Sequence, residues 1–135
     1  MSEYQKENKI LFNRKKLRRS RVRAMNYDIP NFIYEYTAQD LTSRLDEINR
    51  EFKSILILTK NKNFISTKSL TKKIKDPLIV SPISLSNKKA IMIEDEEYLP
   101  FQENSFDLIL SDLMLHASNN LKSSLEKIHA LLKPD

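Results

Sequence analysis

Ser54-Ile55-Leu56-Ile57-Leu58-Thr59 is an unbroken apolar run between polar segments. A strand with one wet face alternates apolar and polar residues. A strand buried on both faces reads as a continuous apolar block, as in a parallel sheet. Just ahead of it, residues 38–52 carry Leu41, Leu45, Ile48 and Phe52 at the i, i+4, i+7, i+11 spacing of one helical stripe. Asp40, Arg44, Asp46, Glu47 and Arg50 take the other faces. A helix feeding a doubly buried strand predicts an α/β layer architecture.

Working outward, the same alternation continues. Leu78-Ile79-Val80 is a strand bounded by Pro77 and Pro82. Ala90-Ile91-Met92-Ile93 is another and runs into the acidic stretch Glu94-Asp95-Glu96-Glu97. Phe106-Asp107-Leu108-Ile109-Leu110 is the last. Residues 64–74 read as a short helix marked by Ile65, Leu70 and Ile74. Residues 119–132 read as a longer one, with Leu121, Leu125, Ile128 and Leu132 as its stripe and Pro134 as its stop. Residues 13–25 form a short basic helix or arm with a thin apolar side of Leu17, Val22 and Met25. The expectation is about four parallel strands with flanking helices. Residues 1–30 form a basic N-terminal arm and residues 31–135 an α/β domain.

Composition narrows the function classes. The chain has 135 residues and no cysteine, which excludes disulfides, thiolate metal sites and a cysteine nucleophile. No apolar run approaches the ~20 residues of a membrane span, and the start of the chain is polar and basic instead of signal-like. A cytoplasmic location is expected. Residues 1–23 hold nine Lys or Arg and two Glu, so the net charge of +5 belongs to the arm. Such an arm has affinity for phosphate, in nucleic acid or at an anionic membrane, but Tyr4 and Phe12 alone interleave it with aromatics, which argues against nucleic acid. Glycine is absent, where ~7% is ordinary usage. No position has the residue that best tolerates positive φ or close approach of backbone to a ligand. That disfavours any Gly-rich nucleotide loop.

Residues 95–111, Asp95-Glu96-Glu97-Tyr98-Leu99-Pro100-Phe101-Gln102-Glu103-Asn104-Ser105-Phe106-Asp107-Leu108-Ile109-Leu110-Ser111, followed by Leu115-His116 and by Ile128-His129-Ala130-Leu131-Leu132-Lys133-Pro134-Asp135, resemble the class I S-adenosylmethionine-dependent methyltransferases. The similar branch is that of the biotin-synthesis methyltransferase and the mitochondrial complex I assembly factor. Phe12-Asn13-Arg14 and Tyr36-Thr37-Ala38-Gln39-Asp40-Leu41 resemble that branch too. The resemblance implies a Rossmann-like fold and S-adenosylmethionine as cofactor. It places Asp95 near the adenine amino group, with Glu96 as the alternative.

The departures fall on the cofactor elements. Where the family reads LDLGCGxG, this chain reads Leu56-Ile57-Leu58-Thr59-Lys60-Asn61-Lys62-Asn63. Ile57 replaces the acid, and Thr59, Asn61 and Asn63 replace glycines. Thr59 and Asn61 are thereby the candidates to face a cofactor. Lys60 and Lys62 place cations beside a sulfonium. After the second strand, Ser81-Pro82-Ile83-Ser84 offers no carboxylate for the ribose. Residue 135 falls where the family continues into further strands, so the fold is expected to be incomplete, with a sheet edge for a protein partner to cover.

Asp112 and His116 follow the fourth strand and are the candidates for catalysis, against plainer roles as a cap and a packed histidine. His129 reads as structural. Tyr34 and Tyr36 are candidate lid residues. The acidic stretch 94–97 lacks the loop geometry of a metal site, and no metal is expected. Three functions follow. The first is a degenerate methyltransferase-like protein with weak or no cofactor binding. The second is an active enzyme completed by another chain. The third is a non-catalytic interaction or assembly factor.

Overall fold

Every residue of β1, Ile55–Leu58, is buried, and it pairs in parallel with β2, Leu78–Ser81, on one side and β4, Leu108–Ser111, on the other. β3, Ala90–Met92, pairs in parallel with β2, which gives the order β3-β2-β1-β4. The computed structural model describes residues 10–27, 32–61, 63–64, 73–85, 90–93 and 97–135. Among these the helices are α1, Arg14–Met25, α2, Phe32–Asp46, and α3, Leu121–Leu131.

The continuous run in β1 has a simple reason. Ile55 and Ile57 join one apolar cluster with Ala38 and Leu45 of α2, Phe64 and Leu110. Leu56 and Leu58 join a second with Val80, Phe106, Met114 and Leu131. Successive side chains enter opposite cores, so no position is left for a polar residue. The result is the three-layer, Rossmann-like arrangement expected.

Several boundaries differ from the sequence reading. The helix expected over 38–52 begins at Phe32 and ends at Asp46. Ile48 then lies on a turn, 42% exposed, while Phe52 still reaches the core. The Lys73 ammonium caps the helix end, donating to the carbonyls of Leu45, Asp46 and Ile48 at 2.6, 3.2 and 2.7 Å. On α3 the expected stripe has the wrong phase. Leu121 and Leu125 are about half exposed, and the helix buries Ser124 and Leu131 instead, with Ile128 partly covered. On α1 the buried side is led by Arg21, and Val22 points outward. The helix expected over 64–74 lies largely outside the described residues, with Phe64 and Ile74 both buried at its ends.

Candidate functional site

In the order β3-β2-β1-β4 the chain reverses direction across the sheet between β1 and β4. The carboxyl ends of two such strands frame the crevice where open α/β sheets bind ligands. Thr59 and Asp112 are the residues that leave them. Each extends its strand by one bond, Thr59 N–H to the carbonyl of Val80 at 3.1 Å and Asp112 N–H to that of Leu58 at 2.9 Å. This sets the two side chains together.

The Thr59 hydroxyl donates to Asp112 Oδ2 at 3.0 Å, and the Thr37 hydroxyl of α2 lies 2.9 Å from Oδ1. The carboxyl is 1% exposed. Burial pushes it above the usual carboxylate range, opposed by the hydroxyls of Thr37 and Thr59 and by the charge of Lys60. Tyr34, one helical turn before Thr37, has its phenol pushed up by burial and by the Asp112 charge, against the pull of Arg21. Leu113, next in the chain, is held at φ 50°, a left-handed conformation that costs a residue with a Cβ. Ser111 Oγ, one residue before Asp112, is buried without a hydrogen-bond partner among the described residues.

The turn after β1 satisfies itself. Asn61 N–H donates to Thr59 Oγ1 and Asn63 N–H to Asn61 Oδ1, both at 2.9 Å. Thr59 is fully buried and Asn61 is 8% exposed. A glycine turn would present those amides to a ligand. Here side chains of the same turn take them, and Cβ-bearing residues fill the space. Ile57, at the acid's place, is sealed in the α2-side core. The described residues therefore do not fit the family's cofactor cradle. Asp95 and Glu96 lie outside the described residues.

His116 sits exposed on the 3₁₀ turn Leu115–Ala117, with no hydrogen bond joining it to Asp112 among the described residues. The structure thus brings Thr59, Asn61 and Asp112 together through hydrogen bonds that do not include His116 among the described residues. His129 is exposed near the end of α3, and Tyr36 is 72% exposed.

A second polar junction was not legible beforehand. Glu97 accepts from the Ser118 hydroxyl at 2.8 Å, from the Asn119 amide, and from the Asn120 amide at 3.4 Å, and pairs with Arg14 of α1 at 2.8 Å. Burial alone would raise this carboxyl, but Ser118, the Asn119 amide and Arg14 together hold it below the usual range. The Asn119 carboxamide accepts the amides of Leu11 and Phe12 at 2.9 and 2.7 Å and returns a bond to the Phe12 carbonyl at 3.1 Å. The start of α1 is thereby tied to the turn before α3. A separate open cavity of about 310 Å³ lies around Phe52, Glu51 and Lys75, where the chain enters β1, away from this chemistry.

Comparison with known proteins agrees with this architecture. A family profile described as "Methyltransferase domain" matches residues 66–135. The mitochondrial arginine-hydroxylase NDUFAF5 of Danio rerio is 35% identical over 115 residues, covering 76% of this chain and 36% of that protein. Its Mus musculus and Homo sapiens counterparts are 59% and 57% identical over 44 residues, or 33% of this chain and 13% of theirs. The chain thus spans about a third or less of the length of these relatives. A crystal structure from Methanococcus maripaludis, described as a candidate S-adenosyl-L-methionine-dependent methyltransferase, superposes with a TM-score of 0.57 at 16% identity, covering 98% of this chain and 63% of that one. That likeness establishes the fold. With the profile covering more than half of its residues, the chain belongs to the methyltransferase-domain family.

Proposed function

We propose that this chain is a methyltransferase-fold protein whose cofactor cradle has been given over to internal packing, leaving S-adenosylmethionine binding weak or lost. The observation that carries this reading is the continuous chain of bonds Asn63–Asn61–Thr59–Asp112–Thr37 across the crevice. A ligand entering there must break bonds that the turn and the carboxyl already make. Each buried polar group left unpaired costs about 1–3 kcal/mol. The absence of glycine from the chain and the burial of Ile57 support the same reading. Isothermal titration calorimetry of the full chain with S-adenosylmethionine is expected to give no saturable heat. A micromolar dissociation constant overturns it.

A second reading is favoured by one observation. Phe106 and Leu132 form an isolated parallel bridge, and Lys133 N–H donates to the Phe106 carbonyl at 2.8 Å. The chain after α3 therefore runs alongside the entry to β4, the edge strand of the described sheet. In this reading a further strand, from a protein partner or a longer chain, covers that edge and restores an active enzyme. Cofactor binding that appears only in a co-purified complex favours it. An interaction or assembly role without catalysis is its non-enzymatic form. The relatives' names place them in mitochondria, whereas our reading keeps the cytoplasm for this chain; imaging of the tagged full chain decides.

A further inference from the structure

β4 is the outer strand on one side of the described sheet. Leu108 and Asp112 donate their amides to the carbonyls of Ser54 and Leu58 at 3.3 and 2.9 Å. Alternate residues of a strand face the same neighbour, so Leu110 also turns its backbone to β1, in register with Ile57. Ile109 and Ser111 turn theirs the other way, where no described strand meets them. Among the described residues, the segment after α3 takes this edge only at Phe106. Phe106 N–H donates to the Leu131 carbonyl at 3.0 Å, and Lys133 N–H to the Phe106 carbonyl at 2.8 Å. Pro134 has no amide hydrogen, and Asp135 pairs with Arg50, ahead of β1, at 2.7 Å.

The same bonds bring one flank of α3 to this edge. α3 turns Ser124 and Leu131 to the protein, and on one flank Lys127 reaches the Tyr98 ring at 4.5 Å and the Glu97 carbonyl at 3.4 Å. Leu121 and Leu125 lie on the other flank, in the helical row that ends with Leu132 beside Phe106. They are 48% and 47% exposed. Ile128 of that row packs on the same apolar cluster as Ile109, so row and edge share one face of the sheet. Natural edge strands are blunted by charge, proline or a bulge. From Leu108 to Ser111 this one has no charge and no proline, and the nearby Lys122 and Glu126 of α3 pair with each other at 3.8 Å.

We propose that the open edge of β4 pairs with the same edge of a second copy of this chain, giving one continuous sheet across a two-fold axis. A two-fold interface needs a surface that matches itself. In antiparallel pairing centred on Leu110, Ile109 of each copy lies opposite Ser111 of the other, and each such pair exchanges both of its backbone bonds. Every open amide and carbonyl of Ile109 and Ser111 is then met. The uncharged rows of Leu121 and Leu125 cover each other across the axis, where a strongly charged partner would find nothing to answer it. The patch is small, so the interface falls at the low end of specific ones, below about 1,200 Å² in total, and a micromolar dissociation constant is expected. The pairing uses no bond of the Asn61–Asp112 crevice, so its test is independent of cofactor binding.

The test is sedimentation velocity of the full chain across a concentration series, with amide hydrogen exchange read at both ends of it. A monomer–dimer equilibrium is expected. The Ile109 and Ser111 amides are expected to gain protection as the dimer forms, whereas Leu110, bonded to β1, is protected throughout. Leu121→Lys with Leu125→Lys is expected to raise the dissociation constant at least about a hundredfold, since the leucine rows of both copies lose their cover. Both residues are half exposed in the single chain, so its melting at monomeric concentrations is expected to stay unchanged. Ser111→Pro, which removes an edge amide and keeps those bonded to β1, is expected to abolish the dimer, with circular dichroism verifying the fold. A chain that stays monomeric up to about 100 μM overturns the proposal, and is the result expected if a strand of a different protein covers this edge. A dimer that survives both variants overturns it too, as does one in which the Ile109 and Ser111 amides exchange as in the monomer.

Discussion

At the scale of single residues, Asp112 organises the crevice. It joins the end of β1 to α2 through Thr59 and Thr37, while its own burial disfavours its charge. Alanine there takes the acceptor from the buried Thr59 hydroxyl, at about 1–3 kcal/mol for a buried group left unpaired, while the Thr37 hydroxyl keeps the Tyr34 carbonyl at 3.1 Å. Asparagine keeps an acceptor and removes the buried charge. Because the folded-state carboxyl is raised, the stability linked to its proton is full below the unfolded value and is lost as pH rises through the folded one. Urea denaturation should therefore find Asp112→Ala about 1–3 kcal/mol less stable than wild type. Asp112→Asn should match or exceed wild type at neutral pH, with a flatter pH dependence. Asp112 was legible as a polar residue after an apolar run. Thr37, 75 positions earlier, was not, because no local pattern marks a threonine that meets a distant carboxyl.

Among the elements, α3 shows what periodicity leaves open. The spacing of Leu121, Leu125, Ile128 and Leu132 predicted a helix, and Ser124, Ile128 and Leu131 share the same i, i+4, i+7 spacing on another face. Packing chose the second set, since the Ser124 hydroxyl finds Ser118 at 2.7 Å and Leu131 fills the cluster behind β1 and β4. Leu131→Ala should cost about 2–4 kcal/mol through the cavity it leaves. Leu125→Ala should stay within about 0.5 kcal/mol. Equal losses in thermal melting would show that the first set faces the core. α2 carries the same lesson at its end. The apolar marks at Ile48 and Phe52 continue the period beyond the point where Lys73 gathers the last carbonyls.

Across the whole molecule, two carboxylates tie distant segments together. Asp107 accepts the amides of Lys53 and Ser54 at 2.9 and 2.5 Å, joining the entries of β4 and β1. Glu97 joins α1 to the turn before α3. Burial alone would raise both, yet amide and hydroxyl donors and nearby cations hold both below the usual range. Groups with lowered folded-state values stabilise above the unfolded value and lose that contribution as pH falls through the folded one. Stability should therefore decline below about pH 4. Asp107→Asn and Glu97→Gln should each be less stable than wild type at neutral pH and converge with it in acid. A constant gap across an acid titration followed by circular dichroism would count against these roles.

By itself the sequence determined the architecture. Buried parallel strands need unbroken apolar runs and helices need a 3.6-residue stripe, so both leave local marks, and the missing glycines and acids were as plain at the level of residue type. Tertiary structure decided which face of each helix is buried, that Thr37, Thr59 and Asp112 share one buried cluster, and that Glu97 and Asn119 hold the start of α1. Those outcomes depend on contacts between residues far apart in the chain. A hydroxyl, a carboxyl or an amide reads the same locally whether it faces solvent or completes such a contact.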